Sequence, residues 1–320
     1  MHIDADLFGP EAIATETREF NKQLAEMLAA APSITTMEPH EVRDLRRQGQ
    51  GVFGPLVVSE RARTSTVPGP DGDIPIRVLA GDRVDAVYLH IHGGGFVLGS
   101  EDMQDPMHDA MADESGVAVV SVGYRLAPEH PYPAGADDCE AAAVWLLENI
   151  EEEFGTETML IGGESAGAHL AVTTLVRMRD RHEFTGFAGA NLVYGGYTVE
   201  YTPSTRNWDR GNLILDQDII DWFHRHTFAT NVDPADPDAA PLYADLGGLA
   251  TALFTVGTLD PLLDNTLMMA ARWVAAGNQA ELAVYPGGIH AFDAFPEELA
   301  IARDARAYMH GWVRDIVAMG

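Results

Sequence analysis

Three side chains able to carry out nucleophilic catalysis lie in the second half of the sequence, each just after an apolar run: Ser165, Asp260 and His290. Ser165 stands in TMLIGGESAGAHLAV (158–172), where Met159, Leu160 and Ile161 give way to a helix-like segment. Glycine is costly in a strand or a helix, so a serine between Gly163 and Gly167 marks one of two things. It is either a plain tight turn or the sharp turn that projects a hydrolase nucleophile. In a chain with eight serines and 31 glycines among 320 residues, G-x-S-x-G arises by chance roughly 0.08 times. The choice therefore rests on partners elsewhere.

A serine hydroxyl needs a general base, and the base needs a third group to orient it. The apolar run at 251–257 leads into TLDPLLD, which places Asp260 on the following loop. The run at 281–285 leads into PGGIHAF, which places His290 on a glycine-rich loop before the last helix. Ser, Asp, His, each after a successive strand, is the chain order of α/β-hydrolase triads. Asp264 is a rival acid, but it falls inside the helix starting near 262, so Asp260 is preferred. Acyl transfer also needs donors aimed at a developing oxyanion. The run at 86–91 leads into His92-Gly93-Gly94-Gly95-Phe96, which alone could be a flexible turn. Beside an elbow serine it reads as an oxyanion loop, with the N–H groups of Gly94, Gly95 and Ala166 as donors.

The elements that must hold these residues alternate. Apolar, β-branched runs occur at 86–91, 117–122, 158–161, 190–194, 251–257 and 281–285. Segments with helical spacing lie between them, at 136–150, 166–180, 262–276 and 297–318. Continuous apolar strands imply both faces covered, so the fold expected is α/β, a mostly parallel central sheet with helices on both faces. A strand near 74–80 follows the turn PGPDGD and suits an antiparallel edge. Two regions break the rhythm: helices at about 10–30 and 40–48, and 197–230, where Asp216 is the expected N-cap of DQDIIDWFHRHTF. Extra helices on such a sheet cover the strand ends where ligands bind. The expected organisation is thus N-terminal cap helices over 1–50, core over 51–196, a cap insert over 197–230 and core again over 231–320.

Forty-nine acidic residues against twenty basic ones give a net charge of −29, and Lys22 is the single lysine. Such a charge disfavours nucleic acid, anionic membranes and polyanionic substrates. It reflects either solubility and genome composition or adaptation to salt, which screens self-repulsion. A melting temperature that rises with added NaCl marks the second origin. No apolar run reaches the ~18 residues of a membrane span. The acidic start MHIDADLFGPEA does not read as a secretory signal, and Cys139 is the only cysteine, so the simplest reading is a cytoplasmic protein.

Joint motifs sharpen this. HGGGF (92–96), YRLAPEHPYPA (124–134), GESAG (163–167), DPLLD (260–264) and HAF (290–292) occur in that order. Together they resemble the hormone-sensitive-lipase-like branch of α/β-hydrolases, the bacterial family IV carboxylesterases, over roughly residues 70–318. The resemblance implies hydrolysis of short- to medium-chain carboxylic esters through an acyl-enzyme, with no cofactor or metal. It implies Ser165 as nucleophile, His290 as base and then acid, and Asp260 as its orienter, beneath a helical cap. A homodimer joined through a sheet edge is compatible with it. Glu164 departs from the family's usual Asp, and Ala168 from its usual second Gly, which leaves the chain-length preference open.

Rival readings are peptide or amide hydrolysis by the same triad, and a non-catalytic small-molecule binder on the same fold. The first usually comes with a large N-terminal domain, for which about 50 residues are too few; the second requires a decayed triad. His90 and His92 face one side of a strand but lack an acidic or Cys partner at metal-ligand spacing nearby. His169 reads as a core residue, and His224 and His226 as solvated, one of them able to line the way in. Tyr194, Tyr197, Trp208 and Phe223 suit either a pocket wall or cap–core packing.

Overall fold

The computed structural model of the chain describes residues 3–228, 232–295 and 299–319. The expected cap boundary at 230/231 and the first two positions of the expected last helix, 297–298, lie outside the described residues. Helices α1 (Thr15–Ala30) and α2 (Pro39–Arg47) come first. There follow β1 (Arg63–Gly69), β2 (Gly72–Ala80), β3 (Ala86–Ile91), α3 (Asp105–Ser115), β4 (Val117–Val122) and α4 (Ala134–Phe154). Next are β5 (Met159–Glu164), α5 (Ala166–His182), β6 (Phe187–Val193), and the short α6 (Pro203–Arg206) with α7 (Gln217–Thr227). The chain closes with β7 (Thr251–Leu259), α8 (Leu263–Ala275), β8 (Ala280–Ile289) and α9 (Ala300–Met319).

All eight strands form one sheet in the order β1-β2-β4-β3-β5-β6-β7-β8. The six from β3 to β8 pair in parallel, while β2 runs antiparallel to both β1 and β4. Every residue of β3, β4 and β5 is buried, because alternate side chains feed two separate cores. Val87, Leu89 and Ile91 of β3 join the core made with α4, α5 and α8. Ala86 and Tyr88 join the opposite core, with Met111 of α3 and Ala305, Trp312 and Val313 of α9.

Strands β3 and β4 have the expected bounds, and β2 is antiparallel as expected. The edge position belongs to β1, which the pattern misses: of its seven residues only Val67 is buried, so it carries no apolar run. Helix α3 is missed because its buried side includes Asp105, His108 and Ser115 rather than a clean apolar stripe. Strand β8 does not stop at 285; it runs through Pro286, Gly287 and Gly288 to Ile289. His290 therefore stands directly off a strand end, not on a loop of its own, because β8 shifts register beside Gly257–Leu259 and keeps pairing.

Asp216 does cap α7, accepting from the Ile219 N–H at 2.9 Å. Val42 of α2 and Trp222 of α7 share an apolar cluster with Val97 and Leu98, just after the glycine run that follows β3. Arg43 of α2 donates to the carbonyls of Val97 (2.8 Å) and Ala127 and pairs with both oxygens of Glu129. Helix α1 lies elsewhere, against β8, with Asn21 donating to the Gly287 carbonyl at 2.8 Å.

Candidate active site

Ser165 occupies the turn between β5 and α5 with φ +57° and ψ −117°. L-residues rarely hold such a conformation unless the surroundings impose it. The flanking glycines explain how: a Cβ at Gly163 would lie 2.1 Å from the Ile91 carbonyl oxygen, and one at Gly167 1.9 Å from it. The end of β3 fills the space that side chains would need, and the Ser165 N–H is tied to the Val193 carbonyl at 2.9 Å. Gly167→Ala should consequently remove about 2–3 kcal/mol or more of stability by overpacking against backbone. A thermal melt checks this; a variant melting with the wild type would refute the close approach.

The three candidate side chains meet. His290 Nε2 is 2.9 Å from Ser165 Oγ, and His290 Nδ1 is 2.9 Å from Asp260 Oδ2. The carboxylate can only accept, so the imidazole proton belongs on Nδ1 and Nε2 is left to accept from the serine. Asp260 is 1% exposed, and its Oδ1 takes the Leu262 N–H at 2.8 Å, which fixes the carboxylate plane. Asp264 is occupied elsewhere, accepting from the Ser204 N–H at 2.8 Å. Tyr194 packs its ring edge-on against His290, centroids 4.9 Å apart, and donates to the buried Asp293 at 2.6 Å.

Among the described residues the N–H groups of Gly94, Gly95 and Ala166 have no acceptor. The first two lie on the loop after β3, where the Gly94 carbonyl turns back to accept from Val97 and Leu98. Phe223 of α7 packs on Gly95 so closely that a Cβ there would fall 2.3 Å from its ring. The Gly93 N–H, by contrast, is bound, donating to Glu164 Oε1 at 2.6 Å. Glu164 Oε2 meets His90 Nε2 at 3.0 Å, and His90 Nδ1 meets Ser121 Oγ at 3.0 Å. Burial pushes the Glu164 carboxyl up to about 7 and the His90 imidazole down to about 3. The sequence marks Glu164 only as a departure; that it ties the glycine loop to the serine turn is visible only once β3 and β5 are paired.

Ser165 opens into a cleft with about 610 Å³ of empty space, its mouth included, walled by Phe96, His169, Phe223, His224 and Phe228 among others. His169 thus lines the cleft rather than packing only in the core, and His224 is the one of the two cap-helix histidines that lines the way in. His90 and His92 are engaged by Glu164, Ser121 and the Gly93 carbonyl. Among the described residues no three His, Cys, Asp or Glu side chains are grouped to hold a metal ion. Nor is any helix there long and apolar enough to cross a membrane.

Comparison with known proteins agrees with this geometry. A family model described as alpha/beta hydrolase fold matches residues 88–294. The carboxylic ester hydrolase LipN of Mycobacterium tuberculosis is 36% identical over 237 residues, 71% of this chain and 63% of that protein, just under two thirds of its length. The carboxylesterase NlhH of the same organism is 36% identical over 256 residues, covering 74% of this chain and 77% of NlhH. A hyperthermophilic esterase from the archaeon Pyrobaculum calidifontis superposes with a TM-score of 0.84 at 32% identity, over 95% of this chain and 98% of that one. The chain belongs to the α/β-hydrolase family. Within it, the motifs and these relatives put it in the hormone-sensitive-lipase-like branch, and it is a hydrolase.

Proposed function

We propose that the protein is a serine carboxylesterase acting on short- to medium-chain carboxylic esters through an acyl-enzyme. The observation that carries the reading is the continuous hydrogen-bonded line Asp260–His290–Ser165, opening into a cleft that Gly95 and Ala166 also line. His290 takes the Ser165 proton as the oxygen attacks the ester carbonyl. The oxyanion that forms is held by the N–H groups of Gly94, Gly95 and Ala166, and Asp260 stabilises the imidazolium. His290 then gives its proton to the departing alkoxide, leaving Ser165 acylated. Water repeats the sequence: His290 deprotonates it, the second oxyanion collapses, and the proton returns to Ser165 as the acid leaves. No step calls for a cofactor.

The segments 1–50 and 197–230 are assigned as a cap, supported by the contact of Val42 and Trp222 over the glycine loop and by the Arg43 tether. A homodimer and a cytoplasmic location remain part of the proposal. The outer edge of β8, unpaired among the described residues, is the surface on which the dimer would form.

Hydrolysis of p-nitrophenyl esters from C2 to C12, with Ser165→Ala as control, tests the reading. Turnover falling off at long chains and lost in the variant is the expected result. Peptide cleavage without ester cleavage would favour the peptidase instead, and a folded protein that turns over neither would be a binder.

A further inference from the structure

We propose that His169 is a specificity residue that accepts a hydrogen bond from a hydroxyl on one arm of the ester, so that hydroxylated esters are the preferred substrates. This rests on the esterase reading above and deepens it. His169 is 4% exposed, and its Nδ1 lies 2.7 Å from the Gly196 carbonyl oxygen. A carbonyl oxygen only accepts, so the ring proton is on Nδ1 and Nε2 carries a lone pair. Burial lowers the imidazole to about 4, which keeps that lone pair free at neutral pH. No group among the described residues donates to it, and the ring is not sealed in the core.

His169 lines the Ser165 cleft and also a second cavity of about 370 Å³ behind Phe96 and Phe228. The Phe96 ring stands edge-on to His169 at 5.1 Å and to Phe228 at 5.8 Å. The wall around the acceptor is therefore aromatic, where an unmet lone pair is costly and a matching donor is selective. Ser165 is the N-cap of α5 and His169 stands one turn further on, its N–H donating to the Ser165 carbonyl at 3.2 Å, and both line the same cleft. One helical turn is about 5.4 Å of rise, the reach of a hydroxyl a few bonds from the ester carbonyl. Carboxylate-bearing arms are disfavoured, since Glu200 also lines the cleft and the chain carries −29 charges. A neutral hydroxyl fits.

The experiment compares kcat/KM by pH-stat for two isosteric pairs, each relative to its hydroxide-catalysed rate. Methyl 3-hydroxybutyrate against methyl 3-methylbutyrate reads the acyl arm. 2-Hydroxypropyl acetate against 2-methylpropyl acetate reads the alcohol arm. In the wild type the hydroxylated member of one pair should lead by about tenfold, the worth of one net hydrogen bond. His169→Leu should bring that ratio near unity, and His169→Gln, which retains an acceptor, should restore part of it. No lead on either arm in the wild type, or a lead that His169→Leu leaves intact, overturns the proposal while esterase activity stands. If neither pair is hydrolysed, the esterase reading itself has failed. Should His169→Leu not fold, the wild-type ratios alone decide.

Discussion

Asp260→Asn is expected to lower kcat on p-nitrophenyl butyrate by about 10⁴ while leaving the fold in place. The amide is nearly isosteric with the carboxylate, so nothing needs to repack. Its orientation, however, is not free. The Oδ1 position receives the Leu262 N–H at 2.8 Å and must hold the amide oxygen, which leaves the amide nitrogen facing His290 Nδ1. That nitrogen donates, so Nδ1 becomes an acceptor and the ring proton moves to Nε2. There it points at Ser165 Oγ, at 2.9 Å, where catalysis requires a lone pair. The base is thus blocked rather than displaced. Steady-state kinetics with a thermal melt on the same sample is the check: a variant that retains a tenth of wild-type kcat would end Asp260's role.

Much of this was legible in the letters because strand ends and chemistry coincide. Ser165, Asp260 and His290 each follow an apolar run, and parallel topology brings the ends of β5, β7 and β8 to one rim of the sheet. Fully buried central strands read plainly because both faces need apolar residues, as β3 and β4 show. The polar edge β1, with one buried residue, has no such signature. Contacts across long sequence distance were hidden as well. Glu164 reaches Gly93, 71 residues away, and Phe223 reaches Gly95 across 128 positions. Nothing local in either stretch announces its partner. His169 misled for a related reason: helical spacing says which residues share a face, but whether that face meets packed core or an open cavity depends on Phe96 and Phe228, from other elements.

The buried histidines have a consequence for acid stability. Burial lowers His90 to about 3, and His92 and His169 to about 4, and it takes His108 well below its ordinary value. In the unfolded chain these rings take up protons near 6.5. Each folded value lies below its unfolded one, so their stabilisation is fully present above about 6.5 and is lost as pH falls toward 4. The displacements of His90, His92 and His169 are each worth about 3 kcal/mol, so these three rings together fall within the 5–15 kcal/mol by which domains are stable, and His108 acts in the same direction. Burial also lowers the part-buried His224 to about 4, its share reduced by its partial exposure to solvent. Glu164 works the other way: raised to about 7, it favours the fold most at low pH and withdraws that support as pH rises through 7. Burial also raises the Asp293 carboxyl, so two carboxyls oppose five imidazoles and the balance is acid lability. Cooperative unfolding is expected between pH 6.5 and 4, well above the usual acid limit set by exposed carboxylates. Melts in 0.5 M NaCl isolate the effect, because salt screens the repulsion among the surface charges whose protonation would otherwise mask it. Glu164→Gln should gain on the wild type between pH 5 and pH 8 by about 2–3 kcal/mol, since only the wild type must bury a charge there. A melting temperature flat from pH 7.5 to 4.5 would mean that these rings are hydrated in the folded protein.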